Sequence, residues 1–211
     1  MIIAFDLDGT ISDPIVGTAA SINYALLKLG LPPKDQTDLK TYIGPSLTDI
    51  FSDLLGKKDD QLIHTAIKYF RERYFKIGYK ENVIYPGIRE LLDELSQNGH
   101  KLYIATAKKT IMARAIVDLF EIAKYFDDIL GCGLKREKHD LLNDIKNKEN
   151  TQHMVMIGDR RHDMQAGKAC HCFCIGVLWG YGSKEELIAS GADTTCTDPD
   201  ELLRILMQKQ H

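Results

Sequence analysis

Apolar residues along the chain recur at two periods. Ile15, Ala19, Ile22, Leu26 and Leu29 fall three and four apart, which predicts a helix ending at Gly30 before Pro32-Pro33. Leu47, Ile50, Phe51, Leu54 and Leu55 form a second stripe, with Ser46 at the N-cap position and Gly56 after its end. A third runs through Ile63, Ile67, Phe70, Tyr74 and Ile77. Beyond Tyr85-Pro86-Gly87 the texture changes. Short, continuous apolar runs at 101–105, 129–130, 154–157 and 172–177 read as buried strands. Helical patterns at 88–96, 109–120, 138–146, 161–169, 184–190 and 199–207 separate or follow them. Strands alternating with helices predict parallel βαβ units, hence an α/β core.

The first strand, Ile2–Phe5, belongs with that α/β part, yet about 70 helical residues intervene before the next strand. The predicted organisation is a core domain from residues 1–13 and 84–211, with a helical domain, 14–83, inserted between. An insert after a strand would lie over that strand's carboxyl end, where open α/β sheets bind ligands. It reads as a lid.

Composition narrows the class of protein. A chain of 211 residues, 44% hydrophobic and 27% charged, is ordinary for a globular domain with an insertion. A formal net charge of −3 argues against a nucleic-acid polymer or an anionic membrane as partner. No apolar run has the length of a membrane span, and the first residues carry no basic segment of a signal peptide. Five cysteines without framework spacing suit a reducing, cytoplasmic setting. Oligomeric state leaves no mark in the pattern.

The chemistry gathers at predicted strand ends. Asp6 and Asp8 stand two positions apart straight after the first strand, where two anions repel by about 3 kcal/mol at ~5 Å and an effective dielectric near 20. Thr106 and Ala107 follow the strand at 101–105, and Asp159 and Asp163 follow the strand at 154–157. Between them Lys135 and Lys138 precede a helix. Parallel strands set these ends side by side. Clustered carboxylates with no sulfur or imidazole suit a hard cation such as Mg²⁺, which takes one or two carboxylates together with substrate phosphate and water.

Asp6 is then a candidate oxygen nucleophile toward phosphorus. Asp8 is placed to protonate the leaving alkoxide and later to activate water. The Thr106 hydroxyl, neighbouring backbone N–H groups and a lysine offer donors and positive charge to phosphoryl oxygens. Four acids against one lysine and a divalent cation leave one negative charge in excess, which a proton on Asp8 removes. The two close acids tolerate one another because they do different work around a cation.

The stretches DLDGT at 6–10, Thr106 at a strand end, a lysine before a helix and GDRRHD at 158–163 resemble the four motifs of the haloacid dehalogenase-like hydrolase superfamily. YPGIREL at 85–91 and IGVLWGYG at 175–182 are most similar to its phosphoglycolate phosphatase-like branch, which includes 5'-nucleotidases. The resemblance covers essentially the whole chain. It implies a Rossmann-like core with a helical cap and a Mg²⁺-dependent phosphatase acting on a small phosphorylated metabolite through an aspartyl-phosphate. It further implies Asp6 as nucleophile and metal ligand, and Asp8 as acid/base with its backbone carbonyl on the metal. Asp159 would be a ligand, Asp163 a ligand or an orienter of the metal's waters, and Thr106 with Ala107 a phosphate-binding pair. Ala107 stands where many relatives carry a polar residue, and neither lysine precedes a proline as the third motif often has it; Lys138 is favoured over Lys135 because it opens the helix.

Competing readings are a sugar-phosphate mutase, which would pass the phosphoryl group to a second hydroxyl, and a non-catalytic phosphate-binding protein. A dehalogenase fits less well, since its chemistry needs neither Asp8 nor a metal. Cys170, Cys172 and Cys174 tempt a zinc or iron–sulfur reading, but their period-two spacing lacks a metal knuckle and predicts a packed strand.

Overall fold

The computed structural model describes residues 1–56, 59–132 and 136–209. The chain divides into two compact units, one formed by Met1–Asp13 with Ile84–His211 and the other by Pro14–Val83. Lys135, the alternative phosphate-binding lysine, lies outside the described residues.

In chain order the first unit begins with β1 (Ile2–Phe5) and the two-residue β2 (Ser12–Asp13). The second unit holds α1 (Ile15–Lys28), α2 (Leu47–Leu55) and α3 (Asp60–Tyr74). β3 (Val83–Ile84) marks the return crossing, followed by α4 (Ile88–Gln97), β4 (Lys101–Thr106), α5 (Thr110–Leu119) and β5 (Asp128–Gly131). Then come α6 (Lys138–Glu149), β6 (Met154–Gly158), α7 (Arg161–Ala169), β7 (Phe173–Val177), α8 (Lys184–Ala189), β8 (Thr194–Cys196) and α9 (Pro199–Gln208).

Six of these strands form one sheet in the order β5-β4-β1-β6-β7-β8, every pair parallel. β1 lies in the middle, with Phe5 level with Ile104 on one side and Ile157 on the other. Helices cover the sheet, which is why Ile3, Ala4, Phe5, Leu102 to Ala105 and Met156-Ile157 are all buried without alternation. Leu141, Leu142 and Ile145 of α6 and Met164 of α7 meet Ala4, Tyr103, Ala105 and Met156 in one cluster. The order reverses direction around β1, so its carboxyl end is the crevice of an open α/β sheet.

The cysteine stretch packs in that cluster, but only Cys174 does so from a strand. Cys170 ends α7, His171 turns the chain with φ of 54°, and Cys172 precedes β7. The turn puts three cysteines on the same buried side without a continuous strand, and all five cysteines are free thiols.

The helical unit is held by its own core. Phe70 meets Phe51 edge-on at 6.2 Å and stacks on Tyr74 at 5.2 Å. Ser46 caps α2 by accepting from the Asp49 N–H, and Asp59 caps α3 by accepting from Gln61 and Leu62. α3 stops at Tyr74, so Ile77, in line with its apolar stripe, is instead more than half exposed. Among the described residues no helix is long and apolar enough to cross a membrane.

Candidate active site

Asp6 is the first residue past β1, and its N–H donates to the Ile157 carbonyl at 2.8 Å. That bond carries the sheet pairing one residue further and aims a carboxylate out of the sheet's end. The chain then tightens: the N–H groups of Ile11 and Ser12 both donate to the Leu7 carbonyl, and Gly9 adopts φ of 82°. A Cβ at Gly9 would come within 2.1 Å of Asp159 Oδ2, so only glycine lets the loop pass this carboxylate.

β6 ends at Gly158 and delivers Asp159, fully buried, beside that loop. Its Oδ1 accepts from Thr10 Oγ1 at 3.4 Å and its Oδ2 from the Tyr181 N–H at 2.8 Å. Asp163 sits in the first turn of α7, where its Oδ2 accepts from the Arg160 N–H at 3.0 Å. This is the helix-capping role an acid in a first turn can have, and it leaves Oδ1 facing inward. Oxygens of Asp6, Asp159 and Asp163 lie within 4.8 Å of one another.

Lys138, first residue of α6, enters this group from the other side. Its Nζ is 2.8 Å from Asp6 Oδ1 and donates to Asp163 Oδ1, with its side chain only 8% exposed. Burial by itself would pull this ammonium down, but Asp163 and Asp6 hold its pKa above the usual lysine range. A second lysine also takes part. Lys108 Nζ lies 2.8 Å from Asp8 Oδ2, while Asp8 Oδ1 is buried with no hydrogen-bond partner among the described residues. Burial raises the Asp8 pKa, opposed first by Lys108.

Burial likewise pushes Asp159 well up, with Asp163 and Asp6 adding repulsion. Asp163 is pushed up to about 6, burial outweighing Lys138. Among the described residues, four carboxylates thus face two ammonium groups, an excess of two negative charges. An all-oxygen donor set with that excess fits a divalent hard cation.

Thr106 closes β4 and is buried, level with Gly131 of β5. Its Oγ1 accepts from the Lys108 N–H at 3.3 Å, a bend that turns Lys108 toward Asp8 and leaves Ala107 exposed. The structure therefore brings Asp6, Asp159, Asp163 and Lys138 into direct contact or ligand range, sets Asp8 beside them, and puts Thr106 at the adjoining strand end. Lys108, Thr10 and the loop at 179–182 also take part; the sequence offers the last two only inside DLDGT and IGVLWGYG, without a role, and does not single out Lys108. Lys108 lies two residues beyond Thr106, and nothing local marks it as the partner of an acid 100 positions away. Arg160 Nε and the Arg161 N–H both reach Glu186 Oε1, at 3.0 and 2.9 Å.

With this geometry in place, likeness to known proteins gains meaning. A family model described as haloacid dehalogenase-like hydrolase matches residues 3–177. The chain is 37% identical to a 5'-nucleotidase of Pseudomonas aeruginosa, covering 97% of this chain and 94% of that protein. It is 29% identical to a phosphoglycolate phosphatase of Vibrio parahaemolyticus, covering 97% and 95%. A solved haloacid dehalogenase-like family hydrolase from Streptococcus pneumoniae superposes with a TM-score of 0.91 at 29% identity, over 97% of each chain.

Proposed function

Given that the chain belongs to the haloacid dehalogenase-like hydrolase family and is a phosphoric monoester hydrolase, we propose that it works through an aspartyl-phosphate formed on Asp6. The observation that carries this reading is the placement of Asp6 against Lys138, within ligand range of Asp159 and Asp163.

In the proposed reaction an Asp6 carboxylate oxygen attacks phosphorus in line with the ester bond. That bond breaks, and the leaving alkoxide takes the proton of Asp8. Water then attacks the acyl phosphate while Asp8 takes up its proton, releasing inorganic phosphate and restoring Asp6. Lys138 and the Thr106 hydroxyl, with the backbone N–H of Ala107, hold the phosphoryl oxygens. Lys108 keeps the Asp8 carboxyl in one orientation. Asp6, Asp159, Asp163 and the Asp8 carbonyl are the proposed Mg²⁺ site. Bound there, the cation would offset the acids and draw charge from the phosphoryl oxygens. Residues 14–83 are proposed as a helical cap domain that sets specificity.

Two substrate classes follow from the relatives. Greater identity to the 5'-nucleotidase favours a nucleoside 5'-monophosphate, while the sequence motifs point to phosphoglycolate. A reducing, cytoplasmic setting suits the free thiols. The test is phosphate release from a panel of small monoesters, with Mg²⁺ and with a chelator, beside Asp6→Asn. Metal-dependent release into water, lost in Asp6→Asn at unchanged circular dichroism, is expected. Retained turnover in Asp6→Asn removes the nucleophile. Transfer to a second sugar hydroxyl without phosphate release converts the reading to a mutase.

A further inference from the structure

The loop after β7, Trp179-Gly180-Tyr181-Gly182, has no task in the reaction scheme, and its sequence reads as a packed turn. Its contacts are more specific than packing requires. Trp179 Nε1 donates to the Thr10 carbonyl at 3.0 Å, which ties the loop to the segment carrying Asp6 and Asp8. The Tyr181 N–H donates to Asp159 Oδ2, and the Tyr181 hydroxyl donates to Asp13. The glycines let this happen at backbone distance. A Cβ on Gly180 would stand 2.3 Å from Asp159 Cβ and 2.4 Å from the Gly9 carbonyl oxygen, and one on Gly182 would stand 2.1 Å from the Asp159 carbonyl oxygen. The loop thus touches Asp159 on its side chain and its backbone, and reaches both ends of the segment from Gly9 to Asp13.

A fully buried carboxylate is costly unless donors hold it, and a carboxylate that ligates a metal needs a second partner to fix its orientation. Among the described residues, the Tyr181 N–H and the Thr10 hydroxyl donate to the Asp159 carboxylate, and the loop at 179–182 contributes the first and tethers the second through Trp179.

We propose that Trp179–Gly182 is a positioning loop for the cation site, holding the Asp159 carboxylate at its ligating angle and locking the Asp6–Asp13 segment to the same frame. It acts on cation affinity and does not touch the substrate. This inference rests on the cation reading above.

The test is a Mg²⁺ titration of the full chain by calorimetry without substrate, for the wild type, Trp179→Phe, Tyr181→Phe and Gly180→Ala. Trp179→Phe removes the indole N–H to the Thr10 carbonyl and Tyr181→Phe removes the hydroxyl to Asp13, each leaving an aromatic ring in the loop, and each is expected to weaken Mg²⁺ binding by about tenfold. Gly180→Ala is expected to weaken it further. In each variant turnover recovers as Mg²⁺ is raised, and the ester's KM at saturating Mg²⁺ stays that of the wild type. Should Gly180→Ala not fold, the phenylalanine pair decides. If both bind Mg²⁺ within twofold of a wild type that itself binds, the positioning loop is overturned and the cation reading stands. If the wild type binds no Mg²⁺, both fall together.

Discussion

Lys108 and Lys138 divide the labour of positive charge at the level of single residues. Lys138 answers Asp6 and Asp163, while Lys108 answers Asp8. Lys138→Met should lower kcat by about 10²- to 10³-fold, the usual cost of losing one fixed charge at a transition state. It should also destabilise the metal-free protein by about 3–5 kcal/mol, because two buried carboxylates lose their counter-charge. Urea unfolding with chelator present checks this. Lys108→Met acts differently. Removing a cation beside Asp8 favours its neutral form, so the pH limb of kcat/KM that reports Asp8 should move upward. A limb that stays in place in Lys108→Met would detach that lysine from the acid. Asp6 and Asp8 were legible in the sequence because their spacing is a local property. Lys108 was not, because its partner follows the neighbouring strand β1, which is 100 positions away along the chain.

At the level of elements, the helical patterns translated almost residue for residue, since periodic apolar positions and caps are local signals. Ser46→Ala should cost about 1 kcal/mol by removing the acceptor for the Asp49 N–H, measurable as a lower urea midpoint. Edges were harder. β8, Thr194–Cys196, passed unnoticed because three residues with one fully buried side chain carry no periodic signal. The cysteine stretch misled for the opposite reason. Period-two spacing imitates a strand, while the structure makes the same burial with a helix end, a left-handed His171 and a strand start. Apolar side chains were placed correctly inside, although the backbone that puts them there has another form.

For the whole molecule the acid cluster sets a pH dependence. Asp163, Asp159 and Asp8 all have pKa values raised by burial, so the folded, metal-free chain holds protons that the unfolded chain has released. Their stabilising share is complete below about pH 4, the unfolded carboxylate range, and is lost as pH rises through the folded values, about 6 for Asp163. Metal-free protein should therefore lose melting temperature between about pH 4 and pH 6 from this cluster. Mg²⁺ competes with those protons, so its stabilisation should be larger at pH 7.5 than at pH 5. Scanning fluorimetry with Mg²⁺ or chelator at both pH values checks the sign. Equal shifts at the two would place the cation elsewhere.

The amino-acid sequence by itself determined the parallel α/β core, the point at which helices interrupt it, and the acids at the ends of β1 and β6. Each depends on spacing within a few residues, which the backbone periods of 2.0 and 3.6 translate directly into facing. Tertiary structure alone decided which charges meet. Lys138 between Asp6 and Asp163, Lys108 against Asp8, and a backbone N–H of the β7 loop on Asp159 all join residues at least 22 positions apart. Such partners are chosen by sheet order and crossover packing, and Coulomb energy at a few ångströms has no counterpart in distance along the chain.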